Sequence, residues 1–467
     1  MYIQQLYTNC LSEAAYYIES NGVAAVIDPL RDTDTYLLLA KERGAVIKYI
    51  FETHFHADFV SGHIDLSQQS GGQIVFGPNT RTAYPVHVAA DGERFQIGAI
   101  NLETIHTPGH TLESTCFLLR DESGNPHALF TGDTLFVGDV GRPDLSSGNL
   151  SAEELAGILY DSIQQKILPL PDHVLVYPAH GPGSSCGKNL GPSTHSTIGS
   201  EKEHNYALQA TSKDSFIESV TTGLTAAPRY FAINAKINQQ GYESLETLKK
   251  QALNPLSVEE FKELAQSAVT ILDTRKAELF TEGFIPGSIF IGLEGRFAEW
   301  AGSLLAFDQP MLLITAPGQE EETLIRLARV GFSDIRGYLQ GGFEAWIQAG
   351  EKIDMIINVE ADELAMDLPF DQNLQVIDVR RETEFANGHV KDAINLPLND
   401  FTDMALVASV EDSHNNYIHC AGGYRSVIAA SLLKKQGVHN LRNILGGWAK
   451  IKDESRIPVE KDAELLN

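Results

Sequence analysis

The sequence predicts an α/β protein of three domains, and three observations carry that expectation. The first 180 residues break into short apolar runs separated by turn signals; a pattern that begins near residue 257 recurs further along the chain; and each copy alternates strand with helix. A chain of 467 residues has room for three cores, at about 100–200 residues per domain. With 43% hydrophobic and 21% charged residues, it is ordinary globular sequence rather than disordered or fibrous. The excess of 62 Asp+Glu over 35 Lys+Arg, a formal net charge of −27, repels phosphate backbones and anionic lipid. No nucleic-acid or membrane partner is therefore expected.

In the first region, Ala24–Asp28, Tyr49–Phe51, Gln73–Phe76 and Val174–Pro178 read as strands. The clearest helix opens at Ser151, where Glu154 completes a capping box ahead of an amphipathic run to Leu168. Residues 200–255 read as a closing helical segment with a linker, so the first domain spans 1–255. The repeat follows. Asp273, Gly283 and Gly341 are answered by Asp378, Gly388 and Gly446, each pair 105 residues apart. A period this long means two copies of one domain, 256–355 and 356–467, each expected to be a doubly wound parallel sheet. The four cysteines, Cys10, Cys116, Cys186 and Cys420, have no paired spacing and suit a reducing compartment. The first residues show no basic segment followed by an apolar core, and no apolar run is long enough to span a bilayer. A cytoplasmic location is the expectation.

Chemistry concentrates at strand ends. Thr53-His54-Phe55-His56-Ala57-Asp58 follows a predicted strand, and imidazoles at i and i+2 with a carboxylate at i+4 can converge on a metal only from such a loop. Thr107-Pro108-Gly109-His110, Phe130-Thr131-Gly132-Asp133 and Tyr177-Pro178-Ala179-His180 have the same form, a strand ending in a turn that carries a potential ligand. One such histidine is ordinarily a surface or satisfied core residue; four sets in one region make a metal site. Cys116, inside an apolar strand, reads as core.

These residues resemble the metallo-β-lactamase superfamily, whose pattern is H-x-H-x-D-H followed by single His, Asp and His ligands. The resemblance implies an αββα sandwich with the metal at one edge of two sheets. Phe59 stands where the pattern has its last histidine, which removes a nitrogen donor from a second metal ion. Within the superfamily the chain is most similar to persulfide dioxygenases. That likeness implies one Fe(II) per chain held by His54, His110 and Asp133, with His56, Asp58 and His180 orienting those ligands by hydrogen bonds. Two imidazoles and one carboxylate leave open positions on a non-haem Fe(II) for substrate and O₂. Gly138–Asp144 matches the family's G-R-x-D stretch: Arg142 faces either an anionic substrate group or an ion pair with Asp139 or Asp144. The loop Gly181–Lys188 resembles one found in bacterial dioxygenase–rhodanese fusions. It places Cys186 near the metal edge, as a spectator or, beside Lys188, as a carrier of persulfide.

Cys420-Ala421-Gly422-Gly423-Tyr424-Arg425 lies between a predicted strand and an apolar helix. A glycine-rich loop there surrounds the sulfur with backbone N–H donors, and the helix terminus and Arg425 favour an anionic thiolate or persulfide. With Asp378, Arg380, Glu384, Gly388 and Gly446-Gly447-Trp448, the segment resembles a rhodanese domain. The resemblance makes Cys420 and Arg425 catalytic and Ala421, Gly422, Gly423 and Tyr424 the substrate cradle. Related phosphatases have a loop one residue longer, so sulfur transfer is favoured. In the first copy Ala316 stands at the cysteine position and Glu320–Glu322 replace the basic residue. That copy reads as a spacer or docking surface.

Together the resemblances imply oxidation of a low-molecular-weight thiol persulfide by O₂ to sulfite, joined to thiosulfate–persulfide interconversion through Cys420. A homo-oligomer is expected from the family. Two alternatives compete: a zinc thioester hydrolase of the glyoxalase II kind with rhodanese regulators, and a sulfur-relay protein whose metal site is vestigial.

Overall fold

The computed structural model describes residues 1–145 and 150–462. The chain divides into two compact units, residues 1–248 with 325–332, and residues 249–324 with 333–467. Among the described residues, no helix is long and apolar enough to cross a membrane.

The first unit contains two six-stranded sheets, each with its strands in chain order. The first sheet runs from Tyr2–Thr8 through Glu13–Ser20, Val23–Ile27, Val46–Glu52 and Gln73–Phe76 to His87–Val88. The second runs from Arg94–Ile97 through Ile100–His106, Thr115–Arg120, Pro126–Gly132 and Leu175–Pro178 to Ser196–Thr197. Successive side chains of a strand point to opposite faces, and the burial pattern follows that rule. Tyr16 and Ile18 join Phe51, Phe117 and Phe130 in the core between the sheets. Their neighbours Ala15 and Tyr17 pack outward, in the cluster that contains Tyr36, Ala40 and Leu66 of the helices Asp34–Arg43 and His63–Ser70. On the far face of the second sheet, Leu118 and Leu129 meet Ala156 and Leu159 of the helix Ala152–Ser162. The layers are helix, sheet, sheet, helix, as the resemblance implied.

The capping box at Ser151 and Glu154 is formed, but the helix it opens ends at Ser162 and passes into a π-helical turn, Ile163–Ile167. The amphipathic run predicted that segment as one helix; the wider turn sets Ile163 and Ile167 into the core beneath the second sheet.

The second unit holds the two repeats, apart from residues 325–332 of the first. In the first, the spatial order of strands is Pro255–Leu256, Ile335–Leu339, Met311–Ile314, Thr270–Asp273, Ile289–Phe290; in the second it is Ile357–Val359, Leu441–Ile444, Asn415–His419, Leu374–Asp378, Ile394–Asn395. All pairings within both sheets are parallel. Matching positions bear matching contacts. Asp273 clamps Arg275 at 2.7 Å and Arg275 donates to the Gly283 carbonyl at 2.9 Å. Asp378 and Arg380 repeat this, with Arg380 on Gly388 at 2.7 Å. The guanidinium covers Phe343 in one copy and Trp448 in the other.

Phe51 and Phe117 lie with ring centroids 4.8 Å apart and join the two sheets. Phe117→Ala should cost the first unit about 3–5 kcal/mol, read as a lower urea midpoint for its unfolding transition.

Candidate functional site

His54, His110, Asp133 and His180 each follow the carboxyl end of a strand, Val46–Glu52, Ile100–His106, Pro126–Gly132 and Leu175–Pro178 respectively. The turns are tied together across the edge: the Thr115 N–H donates to the Thr53 carbonyl at 2.9 Å, and the Ala179 N–H to the Gly132 carbonyl at 3.0 Å. One donor atom from each of His54, His110 and Asp133 falls within 4.8 Å of the other two, and all three residues are buried. Nε2 of His54 and Nε2 of His110 lie 3.7 and 3.6 Å from Asp133 Oδ2. Their other ring nitrogens are anchored, His54 Nδ1 at 3.0 Å from Thr53 Oγ1 and His110 Nδ1 at 2.8 Å from the Arg142 carbonyl. Burial, then the neighbouring histidines, push His54 well below the ordinary imidazole range, so the ring is neutral.

The expected ligand-orienting residues are brought together as well. His56, Asp58 and His180 form a second group of three converging donors, and Asp133, His180 and Cys186 a third. Asp133 belongs to two of these groups: its Oδ1 lies 3.6 Å from His180 Nε2, while Oδ2 faces His54 and His110. Both Asp133 oxygens, His180 Nε2 and Asp58 Oδ1 are buried without a hydrogen-bond partner. Orphaned buried polar atoms are costly, and here they are carboxylate and imidazole lone pairs converging on one space. That donor set fits a divalent metal.

His56 is turned differently. Its Nε2 sits 3.2 Å from Asp28 Oδ1 and 3.7 Å from Glu52 Oε2. Burial opposes its charge, but Asp28, Glu52 and Asp58 outweigh that and hold its pKa up at about 10. Behind it runs a buried network that the motif spacing did not reveal. Asp28 accepts from the Thr53 N–H at 2.8 Å and the Thr53 hydroxyl at 2.9 Å. Glu52 accepts from Ser61, and Asn238 donates to the carbonyls of His56 and Phe59 at 2.8 and 2.9 Å. Asp28 carries one sequence signal, its place at the end of a predicted strand; in the structure its φ of +51° adds another. Asn238 comes from 180 residues downstream with no motif around it. Phe59 is fully buried, its ring 4.3 Å from that of His56.

Gly141 shows how tightly the edge is built. A Cβ there would stand 1.9 Å from the Asp133 carbonyl oxygen and 3.0 Å from His110 Nδ1, so only glycine permits the approach. Beside it, the Arg142 guanidinium is held by Asp144 at 3.0 and 2.7 Å and donates to the Thr225 carbonyl at 2.6 Å. Of the readings given for Arg142, the structure shows the ion pair, and with Asp144 rather than Asp139. The Arg142 backbone N–H also donates to the Cys186 carbonyl at 3.1 Å, which ties the Cys186 loop to His110.

Cys186 lies at the metal edge, as its loop predicted. Of the two readings of Cys186, spectator or carrier beside Lys188, the structure does not supply the lysine for the second. Lys188 Nζ donates to the carbonyls of Ser219 and Thr222 at 3.3 and 2.7 Å. Burial, then Asp58 and Asp133, push the Cys186 thiol well above its ordinary range, the opposite of activation. Cys116 is fully buried in the core, as expected.

In the second unit, Cys420 directly follows the strand Asn415–His419 and is buried, and the Gly423 N–H donates to its Sγ at 3.1 Å. The helix Tyr424–Lys435 starts directly after. The segment that closes the repeat holds the loop from behind: the Trp448 N–H donates to the Cys420 carbonyl at 2.7 Å and that of Ala449 to Ala421 at 3.1 Å. Gly447, at φ +53°, permits this, because a Cβ there would lie 2.3 Å from the Cys420 carbonyl oxygen. Arg425 is shared. Its guanidinium makes a bidentate pair with Glu384 at 2.7 and 2.8 Å while staying within electrostatic reach of Cys420. Ala421 and Gly422 are exposed at the tip.

Comparison with known proteins follows this division. Residues 8–180 match the metallo-β-lactamase superfamily model, and residues 257–349 and 360–454 each match the rhodanese-like domain model. A crystal structure titled metallo-β-lactamase from Staphylococcus aureus subsp. aureus COL is 34% identical, with a TM-score of 0.65, and the match covers 73% of this chain and 98% of that one. The chain belongs to the metallo-β-lactamase superfamily. Two rhodanese-like domains follow its metallo-β-lactamase domain. The persulfide dioxygenase ETHE1 of Homo sapiens is 37% identical over 161 residues, 34% of this chain and 58% of that protein. A probable hydroxyacylglutathione hydrolase of Schizosaccharomyces pombe is 28% identical over 216 residues, 41% of this chain and 80% of that protein. The chain thus spans little more than half the length of its persulfide dioxygenase relatives.

The Thr53 hydroxyl links Asp28 to His54. Thr53→Val should weaken metal affinity by about 10–100-fold while leaving the fold intact, measured by chelator competition with circular dichroism as the control.

Proposed function

We propose that the protein is a non-haem Fe(II) persulfide dioxygenase fused to a sulfurtransferase. The observation that carries this reading is the donor set His54, His110 and Asp133: two imidazoles, each anchored through its other ring nitrogen, and one carboxylate, converging on one point. Similarity to persulfide dioxygenases supports it, as does the phenyl ring of Phe59 at the position of a further nitrogen donor. A ferrous ion in this set supplies the redox chemistry by which O₂ oxidises the terminal sulfur. Overall, one persulfide, one O₂ and one water yield sulfite, the parent thiol and two protons. The chain's own part is positioning. Thr53 and the Arg142 carbonyl hold the imidazoles, and the buried walls of the edge exclude bulk water.

In the second unit, the Cys420 thiolate attacks the outer sulfur of thiosulfate. A sulfur–sulfur bond forms at Sγ, the bond within thiosulfate breaks, and sulfite leaves with the electron pair. The Gly423 N–H and the helix terminus stabilise the anionic sulfur before and after the transfer. The same steps in reverse consume sulfite.

A zinc-dependent thioester hydrolase is the second reading. It is favoured by the donor group His56, Asp58 and His180 beside the first, and by similarity to a probable hydroxyacylglutathione hydrolase. Anaerobic purification with metal quantification, followed by oxygen-electrode assays on glutathione persulfide, separates the two. Stoichiometric iron with O₂ uptake is expected; stoichiometric zinc without O₂ uptake overturns the dioxygenase reading. Cys420→Ser should abolish thiosulfate:thiol sulfur transfer and leave O₂ uptake on supplied persulfide intact.

A further inference from the structure

The first repeat keeps the scaffold of a sulfur-transfer domain without its chemistry. Its Asp273–Arg275 clamp matches Asp378–Arg380, yet Ala316 occupies the place of Cys420. In parallel α/β sheets, ligands enter the crevice at the carboxyl ends of the strands. At that end of the first repeat lies a cavity of about 370 Å³. Thr274, Ala316 and Gln319 form one side of it, and Gly422, Gly423 and Tyr424 of the active loop form the other. Gly423 is the residue whose N–H meets the Cys420 sulfur.

The two sides are locked together. The Tyr424 hydroxyl donates to the Gly292 carbonyl at 2.7 Å, and the Phe290 N–H to Ser431 Oγ at 3.0 Å. Beside Gly422 there is space, since a Cβ built there meets nothing within 4 Å. The cavity is far larger than a small inorganic anion such as thiosulfate or sulfite, and lies at the lower end of the range for organic ligand sites. Its lining is mixed: Leu279, Phe290, Leu293 and Val427 share it with Thr274, Asn358 and Asn443 and with the charged Lys276, Glu278 and Glu294. Gln319 brings a half-buried carboxamide, and Lys276 an ammonium at the rim, 3.5 Å from Glu294.

Building on the sulfur-transfer reading of Cys420, we propose that the mouth of the first repeat binds the organic body of the thiol that exchanges sulfur with Cys420. The fitting class is a low-molecular-weight thiol with amide groups and at least one anionic group, a chemistry shared by glutathione and coenzyme A. The amide pairs with Gln319, and the anion lies toward Lys276. In the transfer, the thiolate of the bound molecule attacks the outer sulfur of the Cys420 persulfide. A bond forms between those two sulfurs, the bond to Sγ breaks, and its electron pair returns to Cys420 as thiolate. No oxidant is needed.

The test uses the full chain, with glutathione and coenzyme A in separate arms and cyanide as a small acceptor. Ala316→Trp, which fills the cavity, should lower turnover with the preferred thiol relative to cyanide by about tenfold or more. Gln319→Ala should raise the thiol KM several-fold with kcat little changed. An unaltered thiol-to-cyanide ratio in both variants overturns the proposal, as does an equal fall for both acceptors. Binding is read independently by saturation-transfer NMR of each thiol on the Cys420→Ser chain: signal lost on adding Ala316→Trp supports the site, and signal unchanged overturns it. Failure of wild-type Cys420 to gain one sulfur from thiosulfate, seen by mass spectrometry, would overturn the sulfur-transfer reading instead and leave the NMR result to judge the cavity.

Discussion

Asp133 is the constraint around which the first unit is organised. Its side chain is fully buried, both oxygens lack a hydrogen bond, and three imidazoles stand within 3.7 Å. A lone carboxylate in such a place costs several kcal/mol. The fold nevertheless brings four strand ends to one edge to create it, with Gly141 pressed against its carbonyl so that nothing can relax. Such an arrangement fits a site that a cation completes. The thiol of Cys186, pushed upward by burial and then by Asp58 and Asp133, adds no further negative charge beside Asp133.

The two repeats of the second unit separate scaffold from chemistry. Both retain the Asp–Arg clamp, the parallel sheet in one strand order and an aromatic ring under the arginine. Only the second has a nucleophile. If the first were a spacer alone, its strand-end mouth could have closed by side-chain growth at Ala316. It stays open instead, and the active loop forms its far wall.

What the sequence made legible was local. Ligands at strand ends, the cysteine loop before a helix and the 105-residue recurrence are short-range patterns that survive folding unchanged. What stayed hidden was the choice among partners for flexible or distant groups. Arg142 had two acidic neighbours in sequence, and only the path of the loop sends it to Asp144. Lys188, two residues from Cys186, turns away because carbonyls at the end of the helix Lys213–Thr221 reach it first. Asp28 and Asn238 support the His56 loop from far along the chain, and no spacing rule connects them. Arg425 stands within electrostatic reach of Cys420, and its bidentate hold on Glu384 depends on a helix from another part of the repeat.

The net charge of −27 sharpens how anionic sulfur species must be recognised. At long range the chain repels them, and screening confines that repulsion to about 8 Å at physiological salt. Inside that distance, only donors built into the backbone or tied to it can prevail. The Gly423 N–H, the first turn of the helix Tyr424–Lys435 and an arginine already steadied by Glu384 are such donors, fixed before the anion arrives. Preorganised dipoles lose nothing to reorientation when charge moves onto sulfur. An acidic protein can therefore hold an anionic sulfur species through short-range geometry, without the basic surface that steering would require.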